Sequence, residues 1–245
     1  MPAVEVEIAI VGVTLLASAV QTVAGFGFSL LAVPILSLLI DPAEAVVVSA
    51  LLSFLNVMRV SHASRADTPW RTVGFLLVGS VLGLPLGVQV LLFASPEALR
   101  LLVGLVAAVM AVAIGLGLRW AGSGPSSLLT GFVSGILATS TAINGPPIVL
   151  YLQATSLGPA AFRAAMSNLL VLNGIFSTTG FVVAGVLAWP QVEAAAFGVP
   201  SLFAGYWLGS WLLERLDPGR FRRFVLWLLA AVGSLTAGIA LYRLL

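Results

Sequence analysis

The chain has 245 residues, of which 60% are hydrophobic and only 8% charged, and a formal net charge of +2. A soluble domain carries roughly 25% charged residues, so a mean hydropathy of +1.13 excludes a water-soluble fold. Cysteine is absent and His62 is the single histidine, which excludes disulfides, thiol catalysis and Cys-ligated metals.

Apolar runs long enough to cross a bilayer, about 20 residues each, recur along the whole length. The fold class is therefore an all-α integral membrane protein. Lysine is also absent, so all eleven basic residues are arginines. They sit near helix ends, and the pI of about 9.7 reads as a topology signal rather than a nucleic-acid surface. His62 falls in a polar loop and reads as solvated. No cofactor, metal site or catalytic triad has raw material here, and the chain is not expected to be an enzyme.

Charges and Pro/Gly clusters divide the chain into eight hydrophobic units. The first, 8–40, follows Glu5 and Glu7 and lacks the basic n-region of a cleaved signal, so it reads as mature protein. It is interrupted by AGFGF. Gln21 and Thr22 offer donors there, and Gly25 and Gly27 let the backbone turn close to a ligand. A helix restarting near Phe26 aims its first free N–H groups at the break, where an anion is favoured. Units 43–60, 71–93 and 98–118 follow. Asn56 lies within the first of these, and Arg59 one helix position beyond its face.

After the linker AGSGPSS, unit 126–156 is interrupted by TSTAINGPP. Thr139, Ser140, Thr141 and Asn144 supply polar groups, Gly145 the turn, and Pro146 and Pro147 suit the start of a returning arm. Units 160–184, 190–213 and 221–243 complete the chain. Asn168 and Asn173 are candidates to line a cavity beside the breaks, with interhelical amide bonding as the competing role. Arg163 and Arg59 either gate a cavity mouth or snorkel as plain anchors. Trp70, Trp189, Trp207 and Trp211 suit interfacial belts.

The landmarks recur. SPEALR and DPGRFR open the fourth and eighth units 122 residues apart, and at that offset Gly83 and Gly87 fall on Gly205 and Gly209. Asp41-Pro42 and Asn56 fall on Gly158-Pro159 and Asn173 at an offset of 117. Two homologous halves in one membrane domain follow, 1–120 and 121–245. Their glycine ridges suit close helix approach within one chain or between two, which admits a homodimer.

Arginine placement selects the topology. If the first and fifth units each cross once, the arginines divide five against six. If both are hairpins, Arg59, Arg65, Arg71, Arg119, Arg163, Arg215, Arg220, Arg222 and Arg223 share one face, leaving only Arg100 and Arg243 opposite. The second arrangement satisfies the positive-inside rule. It gives two inverted repeats, each a broken, re-entrant hairpin plus three transmembrane helices, with both termini outside. Arms of about 15 residues, roughly 22 Å of helix, let the two tips meet near the midplane. Paired interruptions at matching places in two halves point to a transporter site. No Asp, Glu, Lys or His lies deep in a span to suggest a proton relay.

GFGFSLLAVPIL at 25–36, NGPPIVLYL at 144–152 and eight units in two related halves resemble the sulfite exporter TauE/SafE family of bacterial membrane permeases. The resemblance covers essentially the whole chain. It implies a multi-pass protein of the bacterial inner membrane, with Gly25, Gly27, Pro34, Asn144, Gly145, Pro146 and Pro147 in the family's broken helices. It also implies a small anionic partner of the sulfite or organosulfonate class. The combined expectation is a secondary transporter that binds this anion between the two tips and works by alternating access. An anion channel with two re-entrant loops, or a permease for a carboxylate, remains the alternative.

Overall fold

A computed structural model describes residues 3–61, 66–119, 124–215 and 217–244. His62 and Arg65 lie outside the described residues. The described residues form ten helices and no strand: α1 (Ala3–Ala24), α2 (Phe28–Leu39), α3 (Pro42–Ser61), α4 (Trp70–Phe93), α5 (Pro96–Gly115), α6 (Gly124–Ser140), α7 (Gly145–Leu152), α8 (Pro159–Val183), α9 (Trp189–Arg215) and α10 (Pro218–Leu244).

The helix starts follow local chemistry. Proline opens α3, α5, α8 and α10, where its missing N–H is one that a helix leaves unpaired anyway. Three of these starts carry a side-chain cap. Asp41 Oδ1 accepts from the Ala43 and Glu44 amides at 2.9 and 3.3 Å, Ser95 Oγ from Ala98 at 3.2 Å, and Asp217 Oδ1 from Arg220 at 2.6 Å. Each such cap stabilises its helix by about 1 kcal/mol.

Five described helices are long and apolar enough to cross a membrane: residues 5–23 of α1, then α4, α5, α8 and residues 219–244 of α10. The 27-residue α9 has the length, but its glycines, serines and interfacial aromatics dilute its hydropathy. Large apolar side chains face outward, among them Leu82, Phe93, Val109, Phe203 and Trp227. In water such a surface would aggregate; in lipid it is the solvated surface. The short α2 and α7 are different. Nine of the twelve α2 residues are buried, as is every residue of α7 from Pro146 to Leu152. Interrupted backbone is tolerated at membrane depth only where protein or an aqueous cavity surrounds it, and that is where both short helices sit.

Small residues set the packing. Gly79, Gly83 and Gly87 of α4 lie against the backbone at Leu128, Phe132 and Ile136 of α6, and Gly131 and Gly135 lie against Leu76 and Ser80 in return. The numbers rise together, so α4 and α6 run parallel. Gly205 of α9 meets Leu15 and Ser18 of α1, and Gly209 meets Ala19 and Thr22, again in parallel. Gly104 of α5 and Gly233 of α10 face each other with the numbers running oppositely, so that pair is antiparallel. The glycine ridges are thus consumed inside one chain and give no argument for a dimer.

The broken units are asymmetric. Arms of about 15 residues were expected from unit length; they measure 22 and 12 residues in α1–α2, and 17 and 8 in α6–α7. The second chain reversal is marked by Ser134 Oγ, which donates to the Asn144 carbonyl at 2.9 Å, ten residues onward. Linker residues 124–127 already belong to α6.

Candidate functional site

At the first break α1 ends on Ala24 and the chain turns through Gly25 (φ 79) and Gly27 (φ 104). Both angles lie in the left-handed region that glycine enters freely. The Gly25 amide donates to the Gln21 carbonyl at 2.8 Å. Helix α2 restarts at Phe28, two residues later than expected, with Gly27 at its N-cap and no side-chain cap. Its first amides are left to the break.

The second break also uses one left-handed residue, Ala142 (φ 56), although alanine is not suited to that region. Three expected ligand hydroxyls are spent here. Thr139 Oγ1 donates to the Leu84 carbonyl at 2.8 Å, Ser140 Oγ to Ile136 at 2.7 Å, and Thr141 Oγ1 to Leu137 at 3.0 Å. All three are buried and close off helix carbonyls rather than face a ligand. Pro146 and Pro147 remove two donors from the start of α7. The second tip is therefore much poorer in free donors than its sequence suggests.

The breaks meet. A small pocket of about 20 Å³ is lined from one side by Gln21, Phe26 and Gly27 and from the other by Asn144, Gly145 and Pro146. That volume holds about one water; an oxyanion does not fit. Beside it lies a cavity of about 710 Å³, within the range of ordinary ligand sites. Gln21, Thr22, Gly25, Phe26, Asn56 and Arg163 line it. Gln21, Phe26 and Leu170 line both spaces.

The polar wall of the cavity is ordered. Asn56 Nδ2 donates to Gln21 Oε1 at 2.9 Å, which leaves the Gln21 Nε2 donors to the cavity. Ser18 donates its proton to the Leu202 carbonyl at 2.8 Å and lies 3.4 Å from Asn56 Oδ1. Thr22 Oγ1 donates to the Ser18 carbonyl at 2.8 Å. Arg163 is exposed on the first turns of α8. A cation is disfavoured near a helix N-terminus, so the position suits a charge that serves the cavity rather than the helix.

Two expected residues lie elsewhere. Asn168 Nδ2 donates to Thr68 Oγ1 at 2.9 Å and to the Ala164 carbonyl at 3.0 Å, which makes it a tie between α8 and the segment before α4. Asn173 is fully buried, and neither of its side-chain polar atoms has a partner. Arg59 falls in α3, with its side chain outside the described residues. Sequence reasoning missed Gln153, Ser167 and Tyr206, which also line the cavity. Gln153, a polar residue ending the apolar run of α7, carried a readable signal; the other two look ordinary in sequence.

Outward-facing apolar side chains, several spanning helices and buried broken helices define a multi-pass membrane protein. A family model described as "Sulfite exporter TauE/SafE" matches residues 10–236. The chain belongs to that family of transporters. It is 26% identical over 229 residues to a protein of Cupriavidus necator described as "Probable sulfite/organosulfonate exporter TauE", with 87% of each chain covered. No solved structure matches.

Proposed function

We propose that this chain is a secondary transporter moving a small sulfur-containing oxyanion, sulfite or an organosulfonate, across the bacterial inner membrane by alternating access. The observation that carries the reading is the cavity of about 710 Å³ beside the first break, with the Gln21–Asn56 amide pair in its wall and Arg163 among its lining residues. The side-chain amides suit the sulfonyl oxygens, and Arg163 suits the charge. In this conformation the anion rests on the cavity side of Phe26, because the pocket between the tips is too small for it. A continuous pore would need an opening past Phe26 and Leu170, which favours a carrier over a channel.

The architecture behind this proposal is two inverted repeats, each a re-entrant hairpin and three spans, with both termini outside. Several contacts support it. Adding 117 to Leu15, Ala19 and Thr22 gives Phe132, Ile136 and Thr139, and subtracting 122 from Gly205 and Gly209 gives Gly83 and Gly87. The contacts of the first set recur in the second. Thr22 donates to the carbonyl four residues back, as Thr139 does at 3.4 Å. Left-handed Gly25 matches left-handed Ala142. The equivalent helices α5 and α10 are antiparallel, which fits a two-fold axis lying in the membrane plane.

Counterflow in proteoliposomes tests the function. Wild-type protein loaded with unlabelled methanesulfonate is expected to accumulate labelled methanesulfonate and to be inhibited by sulfite. Gln21→Ala is expected to raise KM about tenfold, the loss of one or two hydrogen bonds to an anion, with a small fall in thermal stability from the lost Asn56–Gln21 bond. Absence of counterflow with linear, non-saturating flux would identify a channel instead.

A further inference from the structure

A second void lies between α3, α6 and α8. It is lined by Ala50, Ser53, Ala138, Ala142, Gly174 and Ser177 among others, and holds about 30 Å³. We infer that this pocket is the closed, opposite-face counterpart of the open cavity, and that Asn173 is the polar side chain it presents to the anion when that face opens. The inference rests on the inverted-repeat transporter reading and deepens it.

The repeat offset generates the correspondence. Shifting the open-cavity residues Gln21, Gly25 and Val57 by 117 gives Ala138, Ala142 and Gly174, and shifting Ser167 and Leu170 back gives Ala50 and Ser53. All five results line the small void. Equivalent positions therefore enclose about 710 Å³ on one face and about 30 Å³ on the other. Two symmetry-related vestibules with one open and one collapsed are what a two-state carrier holds in either end state.

Asn173 is an independent observation. At the same offset its counterpart is Asn56, which lines the open cavity. Asn56 is near Ser18 and bonded to Gln21; the positions matching those two partners are Gly135 and Ala138, which have no side-chain polar group. Both amide atoms of Asn173 are consequently buried without a partner. An amide orphaned in this way is destabilising, by an amount comparable to one or more lost hydrogen bonds. Along α8 it lies three residues after Leu170 and four before Ser177, on the helix face that borders the void. Opening that void hydrates the amide or lets it bond the anion, so the unpaired group biases the closed face toward opening.

The chain has no cysteine, so single-cysteine variants report access directly. Ser177→Cys and Ala50→Cys are expected to react with a membrane-impermeant maleimide from the face that carries Arg100, and Gln153→Cys from the face that carries Arg163. Ser80→Cys, buried outside both voids, is the unreactive control. Ser177→Cys and Ala50→Cys proteins that sustain methanesulfonate counterflow yet stay inert, or label from the Arg163 face, overturn the inference and leave transport standing. A wild type without counterflow overturns the transport reading instead, and labelling still decides whether the void opens. Asn173→Leu is expected to raise KM for methanesulfonate about tenfold on the Arg100 face alone, with thermal stability equal or higher. Equal change on both faces, or lower stability with unchanged KM, overturns the role of Asn173.

Discussion

On the proposed topology Arg100 and Arg243 are the two arginines that depart from the positive-inside pattern, and each has a reason to be where it is. Arg100 Nη1 lies 2.6 Å from Glu97 Oε1, and Arg243 lies 3.7 Å from the same oxygen. Arg100 Nε also donates to the Ser37 carbonyl at 2.6 Å, near the C-terminal end of α2. A cation there satisfies a carbonyl the helix cannot and offsets its dipole. One side chain thus ties the C-terminal end of α2 to α5. Arg100→Ala is expected to lower stability by about 1–3 kcal/mol, the range for hydrogen bonds to charged groups, and to loosen α2. A melting curve in detergent reads the first effect. Limited proteolysis between residues 38 and 42 reads the second.

At the scale of elements, the breaks were legible and their chemistry only partly so. Gly25 and Gly27 announce a turn because they enter left-handed backbone without strain, and Pro146-Pro147 announces a helix start because proline tolerates only that place. The same logic misses Ala142, a buried residue whose type does not announce a left-handed angle. It also cannot tell which hydroxyls are spent: Thr139, Ser140 and Thr141 resemble ligand groups until the carbonyls they bond to are known. Arm lengths were illegible for a related reason, since hydropathy marks where a run ends but not where the chain reverses inside it. The glycine ridges were readable as close contacts, while their partners, α6 for α4 and α1 for α9, required the tertiary fold. They supply the sharpest expectation for an element. Gly83→Val would drive a side chain into the Phe132 backbone, and overpacking of this kind costs typically 1–3 kcal/mol. Gly74→Val, where nothing lies within 4 Å, is expected to be tolerated. Equal melting temperatures for the two variants would remove the account of the α4–α6 contact.

For the whole molecule, the decisive question is which ends share a face. The proposed arrangement sets the α8–α9 turn on the Arg100 face and the end of the α5 segment on the Arg163 face. Exposed Ala188 and Arg119 mark those two places. Ala188→Cys and Arg119→Cys are expected to label from opposite sides of intact vesicles. Same-side labelling would rule out six spans with two hairpins. Among the described residues, Arg163 is the charged side chain that lines the cavity, beside the amides of Gln21, Asn56 and Gln153.

The proposed repeat pairs positions whose side chains differ in chemistry. At the 117 offset, Arg163 and Gln153 correspond to Val46 and Leu36, so the two proposed vestibules are expected to differ in affinity for an anion. For a carrier at equilibrium, the ratio of Vmax to KM must be the same in both directions. A tighter vestibule on one side therefore brings a slower maximal rate from that side. At low concentration the two directions then carry equal flux, and the Arg163 side is the one that saturates first. On the proposed orientation the Arg163 side is the cytoplasm, so efflux would reach its ceiling at a lower concentration inside than uptake does outside.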